Sequence, residues 1–187
     1  IGMFDTYSVA SLVSHHLQNL DMLKRGHVHP VTILLAWFTY KQGRGTLGSM
    51  TWSPNDTLLK GLEKAFYVSF GTLEKSDLRC FHGIDASGSM ATEIAGLPIS
   101  ATQAVAVLAM CFTRSGNPDN HKFGLFSTID TNTKELSLLR QAGHDKPTGF
   151  KYVSITPDSD LRDVTDKVLP TCTLSYGYNK GQTYKGG

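Results

Sequence analysis

The sequence predicts a mixed α/β fold, with helical hairpins in residues 1–76 and a sheet domain in residues 77–187. Apolar residues recur every three or four positions in the first segment, a spacing typical of helices with one buried face. After residue 76, short apolar runs alternate with helical patterns, an order typical of a largely parallel sheet. The chain has 187 residues, of which 40% are hydrophobic, enough for one large or two small domains.

Three helices are predicted in the first segment. The first covers residues 9–23 because its apolar side chains share one helical face. The second begins at Pro30, since proline suits a first helical turn, and ends before Gly43. The third begins within Ser53-Pro54-Asn55-Asp56, which combines an N-cap candidate with a carboxylate in the first turn.

Strands and helices alternate in the second segment. We predict strands at residues 78–84, 122–126 and 152–155, and helices at residues 96–114 and 156–169. The first strand ends in Asp85. Parallel α/β sheets bind ligands at the carboxyl ends of their strands, so the turn after this strand is the first place to look for a site.

That turn carries a candidate metal site formed by Asp85, Ser87 and Ser89. Carboxylate and hydroxyl oxygens, completed by water, are ligands that Mg²⁺ prefers. Three other interpretations compete for this turn, and the residues argue against two of them. An aspartyl-phosphate phosphatase usually has a second acid where Ser87 stands, and neither serine is flanked as the Gly-x-Ser-x-Gly of a nucleophile elbow requires. The third, a polar turn that simply ends a strand, stays open.

Charge and cysteine content narrow the functional classes. Lys and Arg total 18 against 16 Asp and Glu, a balance that neither indicates nor excludes nucleic-acid binding. The three cysteines, Cys80, Cys111 and Cys172, form no CxxC pair, and their odd number favours a reducing compartment. The longest apolar run, residues 31–38, is too short to cross a membrane. We therefore expect a cytoplasmic protein without a membrane partner.

Several stretches of the chain together resemble the Ro autoantigen (TROVE) family over roughly residues 10–127. One stretch resembles the metal-ion-dependent adhesion site of von Willebrand factor A domains, namely Gly83-Ile84-Asp85-Ala86-Ser87-Gly88-Ser89-Met90. Another resembles the helix after that site, namely Ala109-Met110-Cys111-Phe112-Thr113-Arg114. Four more resemble the last helices of the Ro ring: His27-Val28-His29-Pro30, Thr39-Tyr40-Lys41-Gln42-Gly43-Arg44-Gly45, Trp52-Ser53-Pro54 and Leu62-Glu63-Lys64-Ala65-Phe66-Tyr67.

The resemblance implies a fold and a function. Residues 1–76 would be the C-terminal helices of a HEAT-like TROVE module, and residues 77–187 an incomplete von Willebrand factor A-like (Rossmann-type) domain. The implied protein is not an enzyme; it binds non-coding RNA, and it holds Mg²⁺ or another divalent cation at Asp85, Ser87 and Ser89 for contact with a partner.

The resemblance also implies cation ligands that this chain does not supply in the usual places. The family has a threonine in a second loop, within Gly-Gly-Thr-Asp, and an aspartate in a third loop. Here a Tyr- and Gly-rich segment follows residue 169, so either the chain stops before the second loop or Thr171 or Thr173 replaces its threonine. The third-loop aspartate is absent from the sequence.

Five side chains are candidates for RNA contact, because cations neutralise phosphates and arginine also stacks on bases. They are Lys24, Arg25, His27, Lys41 and Arg44. A structural interpretation competes with this one, since cations favour helix C-termini and residues 41–44 read as a polar loop. For His29, a role at the start of a helix is favoured over metal binding with His27, because neither a carboxylate nor a cysteine accompanies the pair.

A second functional class is a structural or adhesion component of a larger protein assembly. Under this alternative, residues 128–150, which resemble an insertion, and the tail from residue 171 to residue 187 would contact a protein partner. A hydrolase is not supported, because neither a nucleophile with its base nor a pair of carboxylates can be assembled from the spacing.

Overall fold

A computed structural model describes residues 7–46, 48–126 and 151–168 of the chain. The described residues fall into two compact units. One consists of the described residues within 1–76 together with Glu93–Ile99, and the other of Asp77–Thr92 together with the described residues within 100–187. Among the described helices, none combines the length and the apolar character needed to span a membrane.

The first unit is built from helices. They are α1 (Tyr7–Leu17), α2 (Leu20–Arg25), α3 (Pro30–Lys41) and α4 (Asp56–Ser69), followed by a 3₁₀ turn at Phe70–Thr72. Helix α4 packs against both α1 and α3. Its apolar face, centred on Leu62, Ala65 and Phe66, forms the core together with Ile33 and Leu34 of α3.

Three cap residues set the helix boundaries, and one of them corrects the sequence prediction. The single helix predicted over residues 9–23 is wrong, because Asn19 interrupts it and caps α2 by accepting a hydrogen bond from the Met22 N–H at 3.1 Å. Helix α4 begins at Asp56, within the predicted stretch, and Asn55 is its cap because the Asn55 carboxamide accepts from Thr57 and Leu58. The helix-start role of His29 is confirmed: its Nδ1 accepts from Val31 at 3.2 Å.

A short hairpin joins α3 to α4 and is held against α3 by aromatic side chains. The Trp52 indole donates to the Tyr40 carbonyl at 2.9 Å, and the two rings stack with centroids 6.1 Å apart. Gly43 allows the turn because its φ is +71° and a Cβ there would lie 2.7 Å from the Trp52 carbonyl oxygen. Arg44 and Thr51 form an antiparallel bridge across the hairpin.

The second unit contains a small sheet with helices. Its strands are β1 (Cys80–Asp85), β2 (His121–Phe126) and β3 (Lys151–Val153), and its helices are α5 (Ala101–Ser115) and α6 (Leu161–Val168). The strand order is β1-β2-β3, with β1 parallel and β3 antiparallel to β2. The expectation of a largely parallel sheet therefore holds for one of the two described pairings. An antiparallel neighbour needs no crossover helix, so alternation of elements does not determine its direction.

Both helices of this unit begin later than predicted. Helix α5 begins at Ala101 rather than at residue 96. Its start is fixed by a capping box in which Ser100 and Gln103 hydrogen-bond each other reciprocally. Helix α6 begins at Leu161 rather than residue 156, because the preceding residues form a turn in which the Ser159 N–H bonds to the Thr156 carbonyl. The Asp160 carboxylate then accepts from the Asp163 N–H at 2.7 Å.

Helices α5 and α6 pack against each other. The buried face of α6 consists of Leu161, Val164 and Val168, while α5 buries Val107 and Met110. Arg114, near the end of α5, donates to the Pro157 carbonyl at 2.8 Å and to the Ser159 carbonyl at 2.9 Å. These two bonds hold the turn before α6 against the end of α5.

Candidate functional site

Asp85 ends strand β1 and is partly buried. Its Oδ1 accepts a hydrogen bond from the Ser87 N–H at 2.8 Å, which folds residues 85–87 into an Asx turn. A 3₁₀ helix at Gly88–Ala91 follows immediately. The predicted turn at the carboxyl end of the first strand is therefore present.

The turn brings the two serine hydroxyls together. Ser87 Oγ and Ser89 Oγ lie 3.2 Å apart, the first buried and the second exposed. Neighbouring oxygens around an octahedral Mg²⁺ at about 2.1 Å are about 3.0 Å apart. The oxygen ligand types and the spacing of the two hydroxyls thus fit a hard divalent cation.

Thr171 and Thr173, the predicted substitutes for the second-loop ligand, lie outside the described residues. So do the segment 128–150 and the tail 171–187, which the assembly alternative assigns to partner contacts.

The first group of RNA candidates surrounds the end of α2. Lys24 and Arg25 are exposed in its last turn, where the partial negative charge of the helix end favours cations. Arg25 Nε also donates to the Asp21 carbonyl at 3.4 Å. His27 is exposed and has a φ of +48°, the left-handed conformation, and leads the chain from α2 towards α3.

The second group lies at the opposite end of α3. Lys41 is its last residue, and Arg44 is exposed in the hairpin that follows. Arg44 lines a cleft of about 510 Å³ together with residues 93–98 of the same unit. A helix of 12 residues is about 18 Å long, so α3 separates Lys41 and Arg44 from the group around α2. The five candidates do not form one cluster.

The structure also reveals a cluster that the sequence analysis missed. Cys80, His82 and His121 could hold a metal ion, since one ligand atom of each lies within 4.8 Å of the others. His82 Nε2 and His121 Nδ1 are 3.0 Å apart. Burial lowers the pKa of His82 below its ordinary value of 6.5, and the nearby His121 lowers it further.

A signal for two of the three residues of this cluster exists in the sequence. Cys80-Phe81-His82 has the two-residue spacing that places both ligands on one face of a strand. The third ligand lies on another strand 39 residues after His82, and no motif links them.

The curated relatives of this chain include two proteins named for RNA binding. No family model matches the chain. The RNA-binding protein RO60 of Caenorhabditis elegans is 33% identical over 110 residues, which cover 59% of this chain. The RNA-binding protein RO60 of Deinococcus radiodurans is 36% identical over 117 residues, or 62% of this chain.

The fold points to the same proteins. The crystal structure of the Deinococcus radiodurans Ro (RSR) protein matches 84% of this chain with a TM-score of 0.67 and 27% sequence identity. The sequence relatives and the solved structure both support the Ro (TROVE) family. The mixed α/β fold of helices and a small sheet is therefore a Ro-like arrangement.

The chain corresponds to a limited part of those Ro proteins. It spans 17% of the length of the nematode relative, 22% of the bacterial relative and 28% of the solved Ro chain.

Proposed function

We propose that this chain is part of a Ro-like protein that binds non-coding RNA and carries a divalent-cation site for contact with a partner. The observation that carries the proposal is the similarity to two proteins named for RNA binding, at 33% and 36% identity. The protein acts by binding rather than catalysis, and it works in the cytoplasm.

The architecture that we propose follows the same family. Residues 1–76 are the final HEAT-like helices of a TROVE module, in line with the packing of α4 against α1 and α3. Residues 77–187 belong to a von Willebrand factor A-like domain. The parallel pairing of β1 with β2, and the polar turn between β1 and α5, support this assignment.

The RNA contact that we propose uses exposed cations on the helical unit. Lys41 and Arg44 are the better pair, because the Tyr40–Trp52 contact fixes the hairpin that presents them. Lys24, Arg25 and His27 form a second, separate contact at the other end of α3. A single RNA strand passing along α3 would reach both groups.

The test is RNA binding by the complete protein at several salt concentrations. Each phosphate contact with single-stranded RNA contributes about 0.7 to the slope of log affinity against log salt. The Lys41→Ala/Arg44→Ala double variant should therefore lower the slope by about 1.4. The matched control is Lys60→Ala/Lys64→Ala, which removes two exposed charges from α4 of the same unit.

A slope that falls equally in both double variants would show that only net charge matters. If no RNA copurifies at low salt and the protein is found in a stable protein assembly, the RNA-binding proposal is wrong.

The cation site that we propose consists of Asp85, Ser87 and Ser89, with its remaining ligands supplied elsewhere. Bound Mg²⁺ would supply a Lewis-acidic contact for a carboxylate or phosphate of a partner. The Asx turn holds the Asp85 carboxylate at the end of β1, and the close hydroxyls of Ser87 and Ser89 offer neutral oxygens beside it.

Mn²⁺ binding by the complete protein, followed by electron paramagnetic resonance, tests the cation site. Asp85→Ala should abolish tight binding, whereas Asp166→Ala, which removes an exposed carboxylate from α6, should not. Unchanged Mn²⁺ affinity in Asp85→Ala would overturn the assignment.

A further inference from the structure

The amino ends of β1 and β2 place three metal-binding side chains on one face of the sheet. Cys80 and His82 are two residues apart on β1 and therefore point to the same face of the sheet. In the parallel register Cys80 pairs with His121, so His121 joins them on that face. The cluster lies wholly within the second unit, at the opposite end of β1 from Asp85.

The spacing of these side chains is close to that of a metal site. Zinc bonds nitrogen at about 2.05 Å and sulfur at about 2.3 Å, so tetrahedral ligands lie about 3.4 Å (N to N) and about 3.6 Å (N to S) apart. His82 Nε2 and His121 Nδ1 are 3.0 Å apart, and the ligand atoms of all three residues lie within 4.8 Å of one another. Small side-chain movements are enough to reach the zinc geometry.

The hydrogen bonding of the cluster is incomplete. His121 is 5% exposed, and its Nε2 makes no hydrogen bond to any described residue. Its other nitrogen faces His82 Nε2, and two neutral rings can share only one proton at that contact. A cation in place of that proton would bind both nitrogens at once.

Aromatic rings hold the two imidazoles in place. The His82 ring lies 4.3 Å from the ring of Phe112 and stacks at 4.7 Å on that of Phe123. Phe112 belongs to the last turn of α5, so the partial negative charge of that helix end lies near the cluster. Fixed ligand rotamers and a favourable dipole both strengthen cation binding.

The cluster is accessible from solvent on the cysteine side. Cys80 is partly exposed and lines a cleft of about 530 Å³ with Asn117, Asp119 and Asn120. Arg79 and Lys122 line the same cleft, so its charge does not attract hard cations. Selectivity among metal ions must come from the thiolate and imidazole ligands, which favour Zn²⁺ over Mg²⁺ and Ca²⁺.

We infer that Cys80, His82 and His121 form a second metal site, which binds Zn²⁺ through three protein ligands with a fourth position open to the cleft. The ion joins the amino ends of β1 and β2. This inference does not depend on RNA binding or on a cation at Asp85.

Zn²⁺ and Co²⁺ titrations of the complete, metal-stripped protein test this site. The unmodified protein should bind Co²⁺ at this site with a thiolate-to-cobalt charge-transfer band in the near ultraviolet, and Zn²⁺ should abolish the band by displacing the Co²⁺. Cys80→Ser should remove the band and weaken Zn²⁺ binding by at least about 100-fold, beyond the usual loss for a residue that only orients a ligand. His121→Gln should weaken Zn²⁺ binding to a similar extent.

Two controls separate this site from others. Cys111→Ala removes the buried cysteine of α5 and should leave the cobalt band intact. Asp85→Ala should also leave the cobalt band intact, because the band arises only from the thiolate ligand. Retention of the band in Cys80→Ser, or its loss in either control, would overturn the inference.

A third measurement needs no variant. Zn²⁺ should protect Cys80 of the unmodified protein from alkylation, as read by mass spectrometry of the Cys80 peptide. An alkylation rate that Zn²⁺ does not change, or a cobalt complex without the charge-transfer band, would likewise overturn the inference even if Cys80→Ser does not fold.

Discussion

Gly61 of α4 packs closely against Ser14 of α1. A Cβ at this position would lie 3.0 Å from the Cα of Ser14 and nearer still to the Ser14 side chain, which is buried. The obstacle includes backbone, so rotation of a side chain cannot relieve it. The missing side chain therefore sets how closely these helices approach.

We expect Gly61→Ala to lower the free energy of unfolding by about 1–2 kcal/mol, since the overpacking penalty exceeds the helix-propensity gain of about 1 kcal/mol. Urea denaturation measures the change. Gly88→Ala is the control, because a Cβ there would meet nothing within 4 Å. Equal or greater stability of Gly61→Ala would contradict the expected helix contact.

Cys111 contributes a pH dependence of its own. Burial raises the pKa of its thiol from 9.0 to about 12 in the folded chain, against a small opposing effect of Arg114. Between those values the unfolded chain loses this proton and the folded chain keeps it. The contribution to stability is therefore complete below about pH 9 and is lost as the pH rises towards 12.

Comparison with Cys111→Ala isolates that contribution. The free energy of unfolding of the unmodified protein should fall more steeply than that of Cys111→Ala between pH 8 and roughly pH 10. Urea denaturation under reducing conditions at both pH values gives the difference. Parallel pH profiles for the two proteins would mean that the thiol titrates normally in the fold.

At the scale of elements, side-chain periodicity predicted where helices lie, and caps decided where they begin. The buried face of α4 follows directly from apolar spacing, whereas α3 is apolar on most sides and its spacing does not single out the buried Ile33 and Leu34. The break at Asn19 does not, because the apolar residues on both sides of it keep the same helical period. A local hydrogen bond to the Met22 N–H outweighs that pattern.

Helix α4 depends on its cap. Asn55 Oδ1 accepts from the N–H groups of Thr57 at 2.9 Å and Leu58 at 3.3 Å. Asn55→Ala should lower the free energy of unfolding by about 1 kcal/mol, as measured by thermal or urea denaturation. Asn55→Asp, which keeps the accepting oxygen, should preserve stability. A loss of equal size in both variants would mean that the cap is not responsible.

The direction of β3 shows a different limit. Its sequence predicts a strand but carries no information on its partner, and the structure pairs it antiparallel to β2 through three residues on each strand. Strand direction is decided by pairing between distant segments rather than by local pattern.

For the whole molecule, the two candidate metal sites lie at opposite ends of one strand. Cys80 begins β1 and Asp85 ends it, which separates them by about 16 Å at a rise of roughly 3.3 Å per residue. The predicted oxygen-rich turn followed from adjacent residues in the sequence. The cysteine and histidine cluster did not, because it depends on the register between two strands.

That separation predicts independent binding. Cys80→Ser should leave Mn²⁺ affinity at Asp85 unchanged, and the effects of Cys80→Ser and Asp85→Ala on stability should add within about 0.5 kcal/mol. Urea denaturation of the unmodified protein, the two single variants and the double variant gives the double-mutant cycle. A larger coupling would show that the two ends of β1 influence each other.

The bonds from Arg114 to the Pro157 and Ser159 carbonyls join residues 43 and 45 positions apart. The closure entropy of a flexible loop grows only with the logarithm of its length, so doubling the intervening segment would cost about 0.6 kcal/mol. The contact between α5 and α6 therefore depends little on how many residues separate Arg114 from its two carbonyl partners along the chain.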